Sequence, residues 1–475
     1  MAGKVGNGDG ATASIRNPSH YFSNHRRKIK RARVSSEDLD SISSLPDEIL
    51  QVILSFIPTK DAIRTSVLSR RWRHIWCDIP SLSIFQEGCT NARESIEKIL
   101  SRYTARKMMS FELHLIWNYY YPYVYSWIEF AMYRNVENLS LTLCIEDIPD
   151  FFYINSSVKQ LYVKSGYTKL DPKCSVSWTS LKILSLHTCN IYDEPFAKIL
   201  SGSPNLETLR LYFCDELCVL DLSNSPRLKT LEIESEHWLQ GAKIVAPHIH
   251  SLRLRFTISD FPYTLVDVSS LTEAELDIDP GSLRKLNSSF LQTIVLKILE
   301  KVQNVEKLTF GENFLKALSH LADLHGFPFP KLKAKVLTLE TTQYVISGIV
   351  RVLQNSPELK KLIVRTIDCD AMRKENLDNY LDVYGLNPYQ CSEARVFGNM
   401  YRTSVESKHV ALFMELVLKI TKTLEKMVVR LGPYRNTRVF EELLQMVPVL
   451  SHDNKVSIVL SSTKSRISEN KWTTF

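Results

Sequence analysis

Residues able to do bond chemistry occur in this chain, but without the company that such chemistry needs. Cys214 and Cys218 lie four apart and His248 and His250 two apart. These are zinc-ligand types, yet no second Cys pair follows at finger spacing, and both pairs fall in repeated segments where small or apolar residues are expected. The acidic doublets Asp277/Asp279 and Asp368/Asp370 lack the Gly and Glu spacing of a calcium loop. Gly6-Asn7-Gly8-Asp9-Gly10 has no strand before it and no helix after it, so it is not a phosphate loop. No nucleophile elbow or paired-acid signature is visible. The expectation is a chain that is not an enzyme, holds no metal and works by recognition.

Charge is the next chemistry to place. Of the formal net charge of +7, Arg26, Arg27, Lys28, Lys30, Arg31 and Arg33 supply six and leave +1 for everything else. A nearly neutral body argues against nucleic acid as a partner, which needs cations spread over a face. Residues 1–38 are poor in large aliphatics and cannot bury enough to offset ordering entropy, so a disordered tail is expected. Its basic run fits a nuclear import signal; the alternative is a solvated tail that nothing reads. Nine cysteines, an odd number, and no apolar leader at the start of the sequence imply a reduced setting, nucleus and/or cytoplasm. The most apolar window, 111–133, contains Glu112, His114, Asn118 and Glu129 and fails as a membrane span.

Recognition needs elements to carry it, and the first of these begins at Leu45-Pro46-Asp47-Glu48-Ile49-Leu50. Pro46 suits a helix start, and Asp47 and Glu48 sit on the positive end of the dipole. Ile49, Leu50, Ile53, Leu54 and Ile57 then form one broad stripe until Pro58 stops the helix. Thr59 can cap a second helix carrying Ile63, Val67 and Leu68, and a third would carry Trp72, Ile75 and Trp76. About forty residues have too much surface for their volume to enclose all these side chains. Some of them must meet a partner.

Leu45 to Leu50, the turn Ile57-Pro58-Thr59-Lys60-Asp61-Ala62 and Val67-Leu68-Ser69-Arg70-Arg71-Trp72-Arg73 resemble an F-box of the plant F-box and leucine-rich-repeat family. The resemblance implies binding to a Skp-family adaptor and, through it, to cullin and RING subunits. It assigns Leu45, Pro46, Ile49, Leu50, Leu54, Val67, Leu68 and Trp72 to the adaptor interface, with Ile53, Leu54 and Trp76 divided between that interface and internal packing.

A second pattern takes over from about residue 108. An apolar-x-x-Leu-x-Leu phrase recurs at Val136-Leu139-Leu141, Val158-Leu161-Val163, Leu181-Leu184-Leu186, Leu206-Leu209-Leu211, Leu228-Leu231-Ile233, Ile249-Leu252-Leu254 and Leu271-Ala274-Leu276, at intervals of 21 to 25 residues. That period predicts leucine-rich repeats, each giving one short strand to a curved parallel sheet. Ser-Pro or Ala-Pro precedes the phrase at Pro204, Pro226, Pro247 and Pro357, where proline ends the return segment and sets the next strand's register. Beyond residue 280 the phrase continues at Val305-Leu308-Phe310, Leu337-Thr338-Leu339 and Leu359-Leu362-Val364, with return segments long enough for helices. The run from Pro330 to Leu362 is similar to the start of an FBD-type C-terminal region, and 366–405 has the character of an insertion.

Side chains between the leucines alternate to the opposite face of the sheet. They are Ile183, Ser185 and His187; Thr208, Arg210 and Tyr212; Thr230, Glu232 and Glu234; Ser251, Arg253 and Arg255; Glu273, Glu275 and Asp277. Arg210, Tyr212, Arg253 and Arg255 can anchor an acidic or polar substrate segment. Alternatively, adjacent rows pair with one another across the sheet. Relatives in this family hold an inositol polyphosphate or a hormone in a longer horseshoe; too few basic residues stand at these positions for a small-molecule cofactor.

The fold class expected is α/β: a three-helix F-box, then a repeat solenoid with a helix and strand cap. The domain map runs 1–38 tail, 39–80 F-box, 81–107 connecting helix, 108–329 repeats, 330–463 cap and 464–475 tail. The function this implies is the substrate receptor of an SCF-type cullin-RING ubiquitin ligase, taking an unknown protein substrate. A nuclear interaction scaffold or transcriptional co-regulator is the alternative.

Overall fold

The recurrent phrases fold as strands, and the segments between them return the chain to the same edge of one sheet. In this computed structural model the described residues are 42, 44–86, 92–115, 121–166, 168–235, 243–257, 264–279, 288–322, 328–341, 345–366, 405–431, 437–462 and 471–474. The basic run at 26–33, the Asp368/Asp370 doublet and almost all of the 366–405 segment lie outside them. The chain forms two compact units, residues 1–50 and 51–475.

Within the first unit a turn closed by the Leu45 N–H on the Ile42 carbonyl (3.2 Å) leads into helix α1 (Asp47–Leu54). Pro46 sits just ahead of the helix, its carbonyl accepting the Leu50 N–H at 3.2 Å. Asp47 and Glu48 occupy the first turn, where negative charge complements the dipole.

The second unit takes up the chain in the last turn of α1 and continues through α2 (Thr59–Arg64), a 3-10 turn (Thr65–Val67), α3 (Trp72–Ile75) and a second 3-10 turn (Trp76–Asp78). Thr59 departs from the expectation that it caps α2. Pro58 holds the cap position in an extended conformation, and Thr59, 1% exposed, bonds elsewhere: its hydroxyl accepts the Ser83 N–H at 2.8 Å, and the Ser83 hydroxyl accepts the Thr59 N–H at 3.2 Å. This reciprocal pair ties α2 to the first strand of the sheet.

The strands are β1 (Ser81–Gln86), β2 (Ser110–Leu115), β3 (Asn138–Leu143), β4 (Gln160–Ser165), β5 (Ile183–His187), β6 (Thr208–Tyr212), β7 (Val219–Asp221), β8 (Thr230–Ser235), β9 (Lys243–Val245), β10 (Ser251–Thr257), β11 (Thr264–Asp267), β12 (Glu273–Asp279), β13 (Lys307–Phe310), β14 (Val336–Thr341), β15 (Lys361–Thr366), β16 (Lys426–Leu431), β17 (Ser457–Ser462) and β18 (Lys471–Thr474). Fifteen of them form one sheet in chain order; β7, β9 and β11 form a separate three-stranded sheet. All neighbours in the large sheet are parallel except β18, which runs antiparallel to β17. The expected α/β solenoid is the architecture of the second unit.

Register explains the leucines. In successive strands Leu82, Phe111, Leu139, Leu161, Leu184, Leu209, Leu231, Leu252, Ala274, Leu308, Leu337, Leu362, Met427 and Ile458 are aligned, and all are buried. One repeat leaves this row open at its edge and the next covers it, so stacking is what stabilises each unit. The Ser/Ala-Pro-x-apolar segments form the turns that deliver the chain to this row. Leu206 N–H reaches Ser203 O at 3.1 Å, Leu228 reaches Ser225 at 3.1 Å, Ile249 reaches Ala246 at 3.4 Å and Leu359 reaches Ser356 at 3.3 Å, each with proline at the second turn position, where its fixed φ fits.

Two segments of the domain map carry more structure than their labels allowed. Residues 81–107 contain β1 as well as α4 (Ala92–Arg102), and 464–475 contains β18. Return segments carry α5 (Tyr121–Tyr133), α6 (Asp150–Tyr153) and α7 (Asp193–Ser201) early on. Beyond residue 280 they hold α8 (Ser288–Val302), α9 (Glu312–Ala322), α10 (Ile346–Gln354), α11 (Val405–Ile420) and α12 (Thr437–Asn454). Helices α9 and α10 meet at Gly348, whose N–H donates to Ser319 Oγ at 2.9 Å. A Cβ there would stand 2.6 Å from the Leu315 carbonyl oxygen, so only glycine permits this approach.

Candidate functional site

On the first unit, Pro46 and Ile49 are exposed, Leu45 is half-buried and Leu50 is fully buried. On the second unit, Val52 and Ile53 are exposed on α1, and Phe56, in the turn that follows, is 82% exposed. Val67 is 88% and Leu68 65% exposed. Leu50, Leu54 and Trp72 therefore differ from their expected place at a partner interface: they are 0, 3 and 8% exposed and serve the interior. Within the second unit the Thr59–Ser83 pair bonds α2 to β1, and the inward-facing Leu54 and Trp72 are packed by this chain itself, while Val52, Ile53, Phe56, Val67 and Leu68 stay open.

Phe56, together with Val52, is the residue that sequence reasoning missed. The signal was available, since Ile49, Val52/Ile53 and Phe56 recur at three-to-four-residue spacing. It is masked by Pro58, which ends the helical stripe and leaves Phe56 in the turn before it. Val67 also lines a cleft with Arg73, His74, Asp78, Arg102 and Thr104, which gives the apolar surface a polar neighbour of mixed charge.

The open sheet face places the second set of candidates. Arg210, Glu232, Arg253 and Glu275 are aligned on β6, β8, β10 and β12, and Tyr212, Glu234, Arg255 and Asp277 form the row beside them. Arg210 Nε meets Glu232 Oε1 at 3.0 Å, Tyr212 Oη donates to Glu232 Oε2 at 2.7 Å, and Arg253 Nη2 meets Glu275 Oε2 at 2.8 Å. Arg255 lies 3.4 Å from Asp277 and 3.9 Å from Glu234. The four proposed anchors are thus brought together, and three of them are arginines already engaged by carboxylates of neighbouring strands.

Titration follows this geometry. Burial pushes the Glu232 carboxyl up, but donation from Tyr212 and Arg210 outweighs it and holds the group below its usual value. Burial, then the Glu232 bond, raises the Tyr212 hydroxyl to about 12. Burial raises Asp277 despite the Asn313 N–H and Arg255. Upstream, the Tyr162, His187 and Tyr212 rings form a shelf with centroids 4.7 and 4.3 Å apart. Burial, then Lys164 and Arg210, depresses His187 to about 4, so the shelf is neutral at physiological pH. The spacing pattern did not reveal it, because its rings come from three repeats.

The weak metal candidates separate in space. Cys214 is buried with its thiol on the Leu186 and Tyr212 carbonyls, both at 3.6 Å, whereas Cys218, His248 and His250 are exposed. Among the described residues no group of His, Cys, Asp or Glu could hold a metal ion, and no described helix is long and apolar enough to cross a membrane.

A long parallel sheet built from stacked repeats, with short helices carrying exposed apolar side chains ahead of it in the sequence, defines a repeat protein with a small helical module before the array. The F-box domain model matches residues 42–83, and the model described as At1g61320/AtMIF1, LRR domain matches 99–386. Among curated proteins of Arabidopsis thaliana, the F-box/LRR-repeat protein At3g03360 is 53% identical over 468 residues, covering 94% of this chain and 96% of its own. The putative F-box/LRR-repeat protein At3g18150 is 51% identical over 471 residues, covering 96% and 99%. The F-box/LRR-repeat protein At5g02910 is 51% identical over 444 residues, covering 90% and 96%. The chain belongs to the F-box/LRR-repeat family.

Proposed function

We propose that this chain is the substrate receptor of an SCF-type cullin-RING ubiquitin ligase. The exposed side chains Val52, Ile53, Phe56, Val67 and Leu68 dock a Skp-family adaptor, and Pro46 and Ile49 belong to the same docking role. The adaptor connects the chain to cullin and RING subunits. The open sheet face from β4 to β12 holds a protein substrate, which is ubiquitinated and passed to the proteasome. The chain does no bond chemistry; it raises the effective concentration of a target near the ubiquitin-charged enzyme.

The observation that carries this reading is the exposure of Phe56, Val67 and Leu68. Large apolar side chains this open mark a surface that another protein covers. The test is co-purification of adaptor and cullin with the intact chain and with a Phe56→Asp/Val67→Asp variant. Adaptor and cullin are expected with the first and absent with the second. Cullin absent from both supports an interaction scaffold without ligase function. For localisation we propose nuclear entry through the basic run; deleting residues 26–33 should lower the nuclear fraction of a tagged chain, and an unchanged fraction rejects the signal.

A further inference from the structure

Across most of the sheet the chain neutralises charge laterally. Arg210, Glu232, Arg253 and Glu275 alternate on successive strands, and near the strand starts Lys107 and Lys159 flank Glu137 while Lys182 meets Glu207. Over β13 to β16 Arg365 still meets Glu340 at 2.9 Å, but the row at the strand starts no longer alternates. Lys361 and Lys426 stand directly opposite one another on β15 and β16, and neither has an ion-pair partner among the described residues. Lys307 opens β13 between Glu273 of β12 and Val336 of β14, and Val336 faces Lys361. Like charges opposite one another on adjacent strands are destabilising, so the fold gives no reason for this placement.

The surplus is concentrated there. The segments 303–307, 331–336, 355–361 and 421–426, which lead into these four strands, hold eight lysines and three glutamates. Two of the glutamates are used on Lys335 and Lys360, at 2.7 and 3.1 Å. The net +5 of this strip exceeds the +1 that remains for the whole chain once Arg26, Arg27, Lys28, Lys30, Arg31 and Arg33 are set aside. The same sheet face is less open further along the strands, where Thr338, Val428 and Val459 are buried and Thr309 and Ile363 half-buried. An occupant therefore lies across the strand starts rather than along the strands. Lys307 to Lys426 spans three inter-strand steps, about 14 Å, which four or five extended residues cover.

We propose that the starts of β13 to β16 dock an acidic, Asp/Glu-rich segment of a partner protein, with Lys307, Lys361 and Lys426 as its charge contacts. Duplex nucleic acid is the rival anion. It would need cations well beyond this short strip, and the near-neutral remainder of the body does not supply them. The inference is independent of the ligase reading, since the strip shares no residue with the docking helices.

The test uses the full chain with the six tail cations replaced by Gln, so that the tail cannot capture the probe. Fluorescence anisotropy at low salt measures a labelled twelve-residue Asp/Glu peptide and a labelled DNA duplex. Peptide binding should weaken at least tenfold in Lys361→Glu/Lys426→Glu and stay within twofold in Lys182→Glu, whose lysine is paired. Lys361→Gln/Lys426→Gln, which only removes a repulsion, should also lose several-fold and keeps the test sound if charge reversal unfolds the chain. Absence of peptide binding, equal loss in Lys182→Glu, or tighter binding of the duplex than of the peptide would overturn the proposal.

Discussion

Truncating Phe56 to Ala should disable adaptor binding while leaving the isolated chain as stable as before. A phenylalanine side chain buries about 150–250 Å² when covered, and 82% of this residue is open. Covering it removes roughly 120–200 Å² of apolar area from water, a ceiling of about 3–5 kcal/mol at about 25 cal/mol/Å². Ordering costs on association lower this to about 2–4 kcal/mol, the range of a central aromatic anchor, or a loss of roughly 30- to 1000-fold in affinity. Because the ring makes little internal contact, unfolding free energy should change by no more than about 0.5 kcal/mol. Trp72, 8% exposed, is the counterpart: Trp72→Ala should cost about 3–5 kcal/mol of stability through the cavity it leaves. The assay is titration calorimetry of purified chain and Skp-family adaptor, beside urea unfolding of each variant. A Phe56→Ala chain that binds adaptor within threefold of wild type, at unchanged stability, would refute the reasoning.

Gly348→Ala should destabilise by about 1–3 kcal/mol, read as a lower urea midpoint, because the new Cβ meets the Leu315 carbonyl at 2.6 Å and Ser319 on α9; Ser319→Gly should recover part of the loss. His187 is depressed from 6.5 to about 4, so between those values the unfolded chain binds a proton that the folded chain refuses, and stability falls as pH drops through that window. His187→Asn should flatten that limb of a pH-dependent melting series; an unchanged limb would place its origin elsewhere. Glu232, held below its ordinary 4.5, adds stability that is present above that pH and is lost on further acidification, a loss that Glu232→Gln should remove. Arg253→Met should cost about 0.2–1 kcal/mol, since the arginine is half-exposed between Glu232 and Glu275, and a larger loss on urea unfolding would show the ladder to be cooperative.

The F-box and the repeats were legible because their information is local or periodic. Proline, acidic first-turn residues and a helical stripe mark α1 within a few residues, and leucines at 21 to 25 residue intervals mark strands whose inward row must be apolar. The Ser-Pro turns were legible for the same reason. Which way the F-box side chains point was not. Leu50, Leu54 and Trp72 are as apolar as Phe56, Val67 and Leu68, and composition cannot rank them. The structure separates them by burial, and the Thr59–Ser83 tie between α2 and β1 is likewise a contact between residues that no pattern connects.

By itself the sequence determined that a small helical module precedes a stacked array, since an apolar row repeated at a constant period has no other way to leave water. Only the tertiary structure decided which charges pair, which rings stack and which apolar side chains stay open. Those outcomes depend on register between strands that are 20 or more residues apart, and register is a property of the assembled sheet. Lys361 and Lys426 show the difference. They are 65 positions apart in the sequence, yet the fold sets them side by side.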